Sequence, residues 1–143
     1  MNERNRDLIR ALGKMWCAQD VERMVALFTD DCVYEDMAMG AVNRGKDQLR
    51  TFAEEVFQTM PDFNVAFIDP FATGEWGAAS WVIKATWNGL FEEVDCTGLR
   101  IEFTGLSMYR FRDGKIAQAR DCWDFTVMIR KFGVLPQNLR SLR

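Results

Sequence analysis

Met108-Tyr109-Arg110-Phe111-Arg112-Asp113-Gly114-Lys115-Ile116-Ala117-Gln118-Ala119-Arg120-Asp121-Cys122-Trp123-Asp124 reads as two β-strands joined by a tight turn. The Asp113-Gly114 step is a hairpin signature, because the central residues of such a turn need positive φ and Asp-Gly reaches it at low cost. It pairs a long strand, predicted over Leu99 to Arg112, with a last strand that carries Asp121. Aspartate is depleted in strands, since its side chain competes for backbone hydrogen bonds and gains nothing from packing. Ala119 and Trp123 share its face at a spacing of two, so Asp121 is expected to point into apolar surroundings. Burial of that kind raises a carboxylic acid's pKa and suits it to proton transfer near neutral pH.

Upstream of this hairpin the apolar pattern alternates again. Ala78 to Trp87 is predicted as a long strand, and Phe63, Val65 and Phe67 begin another, with Pro70 marking an edge or a bulge. The first half of the chain is helical in period instead. Leu8, Leu12, Met15 and Trp16 place one helix from Asn5 to Ala18. Asp20 can cap a second that carries Val21, Met24, Val25, Leu27 and Phe28, until Thr29-Asp30-Asp31 breaks it. Cys32-Val33-Tyr34 is a short β-like stretch. Leu49, Phe52, Ala53, Val56 and Phe57 mark a third helix that must end before Pro61. Phe125, Met128, Ile129 and Phe132 form a short closing helix, with Gly133 placed to cap it and Pro136 beyond. Helices followed by a meander is an α+β order. The expected architecture is one domain over residues 1–143, three helices packed on a curved, mostly antiparallel sheet, a cone whose mouth is a natural ligand pocket.

The composition removes several function classes. A net charge of −3 argues against a nucleic-acid binder, and Arg140 and Arg143 alone do not make a basic patch. No apolar run reaches the length of a membrane span. The charged start, Met-Asn-Glu-Arg-Asn-Arg-Asp, reads as the beginning of a helix and not as a secretory leader. Cys17, Cys32, Cys96 and Cys122 have no metal-ligand spacing and are read as reduced thiols of a cytoplasmic protein. With no histidine in 143 residues, Ser-His-Asp and Cys-His catalysis and histidine-ligated metals are excluded. Acid–base chemistry must come from carboxylates, Tyr, Lys or Cys, and neither a metal nor a cofactor is expected.

The order of elements, together with Asp113-Gly114-Lys115-Ile116, Arg120-Asp121-Cys122-Trp123-Asp124 and Ile129-Arg130-Lys131-Phe132-Gly133, resembles the nuclear-transport-factor-like superfold. Within it the chain is similar to the SnoaL-like polyketide cyclases and the related limonene-epoxide-hydrolase group, over nearly its whole length. In both groups the first Asp of the R-D-x-x-D ending is a catalytic acid/base, which implies that role for Asp121. A second match, Leu27 to Met37, implies that Tyr34 positions a water or substrate; Asp36 stands where the epoxide hydrolases carry Asn. Those hydrolases also carry an Arg-x-Asp pair on the strand that here reads Trp81-Val82-Ile83-Lys84, with Val82 and Lys84 at roughly those places. The cyclases use pocket histidines at positions held here by Ser107 and Ala119.

Asp121, Asp36 and Tyr34 are therefore the catalytic candidates. Tyr34 and Asp36 share a face, so Asp36 either joins Asp121 as a carboxylate pair or begins a solvated loop. Trp123, Lys84, Ser107 and Met37 are the candidate substrate contacts; Lys84 either faces the pocket or snorkels from the outer sheet face. Trp81, Trp87 and Phe103 are read as core or dimer contacts, Asp124 as a helix cap, and Glu92-Glu93-Val94-Asp95 as a solvated acidic loop. The expected function is a cofactor-free acid/base enzyme on a hydrophobic, polyketide- or terpenoid-like small molecule, performing cyclisation or isomerisation. Two other readings stand beside it, a non-catalytic binding or dimerisation module and an epoxide hydrolase. The superfold implies a homodimer through the sheet's outer face, which agrees with the many aromatics on strand faces.

Overall fold

The computed structural model describes residues 2–134; Pro136, Arg140 and Arg143 lie outside that range. Helical spacing places Ile9, Leu12 and Trp16 on one buried face of α1 (Asn2–Ala18). Asp20 accepts a hydrogen bond from the Arg23 backbone N–H at 3.1 Å and caps α2 (Val21–Val25). That helix is shorter than its apolar pattern suggests. Phe28 does not end it but opens β1 (Phe28–Asp36), which absorbs the supposed breaker Thr29-Asp30-Asp31. After β2 (Ala41–Arg44), α3 (Gly45–Thr59) stops ahead of Pro61.

The strands β3 (Asn64–Thr73), β4 (Trp76–Thr86), β7 (Arg100–Arg112) and β8 (Lys115–Trp123) form the expected antiparallel meander. Six strands lie in the order β2-β1-β8-β7-β4-β3. β1 runs parallel to β8, and every other pairing is antiparallel. Pro70 sits on the edge strand β3, where the register shifts between Ile68 and Phe71. Asp113 and Gly114 turn the β7–β8 hairpin at φ 53° and 72°. The acidic segment is a miniature hairpin: Glu92 and Glu93 make the turn at φ 48° and 67° between β5 (Leu90–Phe91) and β6 (Val94–Asp95). The short helix α4 (Thr126–Phe132) closes the chain, with Asp124 accepting from the Thr126 N–H at 2.9 Å and Gly133 capping its end at φ 69°.

β7 shows why this sheet has a dry side and a wet side. Ile101, Phe103, Ser107, Tyr109 and Phe111 are buried, while Arg100, Glu102, Leu106, Met108 and Arg110 are exposed, a strict alternation of period two. The inner residues face α1 and α3 and enclose a cone. No helix among the described residues is long and apolar enough to cross a membrane. All four cysteines are free.

Candidate active site

Pairing register brings the candidate residues together. On parallel β1 and β8, Asp36 stands beside Asp121; on antiparallel β7 and β8, Ser107 stands opposite Asp121. Tyr34, two residues before Asp36, looks to the same side. All four line a cavity of about 260 Å³ whose walls include Trp16, Phe52, Trp81, Phe103 and Trp123. Among the described residues lining it, the charged ones are Asp36, Glu55 and Asp121, and none is Lys or Arg.

Two short hydrogen bonds hold Asp121. Tyr34 donates its phenol O–H to Oδ2 at 2.6 Å, and Ser107 donates its hydroxyl to Oδ1 at 2.5 Å. Burial pushes the Asp121 pKa up to about 6; the Ser107 and Tyr34 bonds oppose the rise and the charge of Asp36 adds to it. Tyr34, only 4% exposed, is held well above the usual phenol range by burial and by the carboxylate beside it, so it stays a neutral donor. Asp36 ends β1 inside the cone and does not begin a solvated loop. Its two oxygens accept from Trp123 Nε1 at 3.1 and 3.2 Å, and Oδ1 also accepts from the Met39 N–H at 3.0 Å. Burial raises its pKa, against those N–H donors. The result is two adjacent carboxylates, each held by neutral donors alone, in an apolar chamber. Such an arrangement can take and return a proton near neutral pH.

Two candidate contacts lie elsewhere. Lys84 is on the outer face of β4, with its ammonium 3.9 Å from Glu102 across the strand pair; three positions from inward-facing Trp81, it has the opposite parity. Met37 projects from the β1–β2 turn and is not part of the cavity wall, whereas Met39 is. Val82 likewise has outward parity, and the inward positions of that strand are Trp81 and Ile83, so no Asp-Arg-Asp arrangement exists among the described residues. Trp81 and Phe103 are buried in the core, as read from sequence, with Trp87 packed against it, and all three also line the cavity. The signal for that lining role is their parity relative to Asp121. Among the described residues no group of three or more His, Cys, Asp or Glu is arranged to hold a metal ion.

Comparison with known proteins places the fold and the family. The crystal structure of IdmH, a candidate polyketide cyclase from Streptomyces antibioticus, superposes with a TM-score of 0.77 at 25% identity, covering 89% of this chain and 96% of that one. AclR, a candidate hydroxylase from Streptomyces galilaeus, gives 0.79 at 22% identity over 94% and 98% of the two chains. A limonene-epoxide-hydrolase-like epoxide hydrolase of M. tuberculosis gives 0.74 at 19% identity over 93% and 92%. No curated protein matches by sequence. The profile of the SnoaL-like polyketide cyclases matches residues 6–131, nearly the whole described fold, and the chain belongs to that family.

Proposed function

We propose that this protein is a cofactor-free acid/base enzyme that closes or isomerises a ring in an apolar, polyketide-like small molecule, with Asp121 as the proton carrier. One observation carries the reading: Asp121 reaches into a cavity of aromatic walls, held by two hydroxyl donors and faced by no cation among the lining residues. An ion pair would have locked this carboxylate in its charged form. Instead its pKa of about 6 leaves it ionised at pH 7 and basic enough to act.

In the proposed reaction the Asp121 carboxylate takes a proton from a carbon next to a carbonyl, breaking the C–H bond and forming an enolate. The enolate carbon bonds to a second carbonyl carbon of the same molecule. The new alkoxide then takes the proton back from Asp121, so the enzyme ends as it began. Asp36 accepts a hydrogen bond from a hydroxyl of the substrate, Trp123 holds Asp36 in place, and the flat rings of the wall align a fused-ring skeleton. Likeness to IdmH supports a cyclase over an epoxide hydrolase, and so does the outward parity of Val82 and Lys84, which stand where the resemblance places the hydrolases' Arg and Asp.

Exchange of the α-protons of 2-tetralone in D2O, followed by proton NMR, tests the carbon-acid step without the natural substrate. Wild-type protein is expected to accelerate exchange, and Asp121→Asn to lose about 100-fold or more of that acceleration. Exchange by Asp121→Asn at the wild-type rate contradicts the proposal.

The outer sheet face supports a homodimer as part of the same proposal. Ile68 and Phe71 of β3 and Leu106 and Met108 of β7 are all exposed there, Leu106 at 63%, on either side of Ala78 and Ser80 of β4. An exposed apolar patch of this kind marks an interaction surface. Light scattering at micromolar concentration is expected to give the dimer mass, and Leu106→Glu the monomer mass. A monomeric wild type rules the dimer out.

A further inference from the structure

Trp81 has so far been only a ring of the cavity wall, yet its indole N–H ends on the hydroxyl that holds Asp121. Its Nε1 donates to Ser107 Oγ at 2.8 Å, and Ser107 in turn donates to Asp121 Oδ1 at 2.5 Å. The direction of this chain is fixed by chemistry. An indole N–H can only donate, a hydroxyl has one proton, and an ionised carboxylate only accepts. Ser107 Oγ must therefore accept from Trp81 and commit its proton to Asp121. Ser107 is 2% exposed, so water does not compete for that hydroxyl.

A second, independent feature makes room for this arrangement. Gly105 is directly opposite Trp81 across β4 and β7, two residues before Ser107 on the same inner face. A Cβ on Gly105 would lie 2.3 Å from Trp81 Cζ2 and 2.4 Å from Cη2, inside the ring's own volume, and 2.8 Å from the Cys122 carbonyl oxygen. Gly105 is absent from the positive-φ glycines, so it is there for space and not for backbone conformation. Glycine inside a strand weakens it, and the usual compensation is close approach of another group. Here that group is the indole, lying along β7 with its N–H at Ser107. Phe103, two residues to the other side, packs edge-on against the same ring at 5.8 Å and 83°.

We infer that Gly105, Trp81 and Ser107 form a positioning relay for Asp121, in which the glycine slot admits the indole, the indole orients the Ser107 hydroxyl, and that hydroxyl fixes one oxygen of the carboxylate. Ser107 is then a positioning residue engaged on both sides, not a substrate contact. The inference rests on the reading of Asp121 as the proton carrier, but its test does not need a substrate.

The test is the titration midpoint of the Asp121 side-chain carboxyl, read by carbon-13 NMR in wild type and variants. Ser107→Ala is expected to move it upward by about one pH unit, because one charge-assisted donor is lost. Ser107→Thr, which keeps the hydroxyl, is expected to stay near wild type. Trp81→Phe keeps the ring packing but removes the N–H, and is expected to move the midpoint the same way by a smaller amount. Gly105→Ala should match Trp81→Phe, since the added methyl displaces the indole. Ser107→Ala changes little volume and keeps the relay testable even where the Trp81 and Gly105 variants fold poorly. A folded Ser107→Ala or Trp81→Phe protein that titrates at the wild-type midpoint, whatever its melting temperature, overturns the relay. Exchange of 2-tetralone is a separate readout, so the relay and the proposed function fail or survive independently.

Discussion

Glu35 and Asp36 are successive residues of β1, and each stands beside a charged residue of β8, Glu35 by Arg120 and Asp36 by Asp121. The first pair points outward and the second inward. Outside, Arg120 Nε lies 3.1 Å from Glu35 Oε2, and the charges cancel at the surface. Inside, two carboxylates share a dry cavity and are held only by Tyr34, Ser107, Trp123 and a backbone N–H. One residue of pleat thus separates a structural ion pair from a pair whose proton affinity is tuned. Opposite charge fixes a carboxylate's state, whereas neutral donors in an apolar wall leave it able to change state near neutral pH.

The largest consequence of this contrast is a pH-dependent stability difference. The folded-state pKa of Asp121, about 6, lies above the ordinary 3.8, so between those values the native state binds more protons than the unfolded state. Stability contributed by the protonated form is present below about pH 4 and lost as pH rises through about 6. Asp121→Asn lacks that loss. Its stability relative to wild type should therefore be more favourable at pH 8 than at pH 4 by about 2 kcal/mol or somewhat more. Urea unfolding of both proteins at the two pH values checks this, and an equal difference at both would break the contrast. A smaller effect is expected from Tyr34→Phe, which removes one of the two hydroxyl donors and should raise the Asp121 midpoint by about one pH unit. Carbon-13 titration of that variant reads it directly. Smallest of all is Arg120→Gln. The outer pair is solvent-exposed, so its loss should alter stability by less than about 1 kcal/mol and leave 2-tetralone exchange unchanged. A large fall in exchange would mean that the two faces are coupled.

Much of the fold was legible because its signals are local. The Asp113-Gly114 turn, the switch from helical to alternating period, and the stops at Pro61 and Gly133 each depend on a few neighbouring residues. β1 was legible only in part. Its register on β8 shifts between Phe28 and Val33, and the polar run Thr29-Asp30-Asp31 at that irregularity hides a strand from any alternation rule. Its parallel pairing with β8 leaves no turn signature either. The cavity's composition failed for a sharper reason. Counting outward from the hairpin, where Arg112 pairs with Lys115, puts Leu106 opposite Asp121. A bulge between Arg110 and Phe111 advances the register by one, so that Ser107 takes that place. One residue inverts a strand face, which is why the lining role of Trp81 and Phe103 and the side taken by Lys84 are not readable from alternation alone. Gly105 was visible in the sequence as a glycine inside a strand, yet only the partner strand shows what fills its space.

Titration of the wild-type Asp121 side-chain carbon, assigned with Asp121→Asn, tests most directly whether this carboxyl exchanges protons near neutral pH from its apolar cavity. A midpoint of about 6 is expected. A midpoint at or below the ordinary 3.8 would show a solvated or ion-paired aspartate and contradict it.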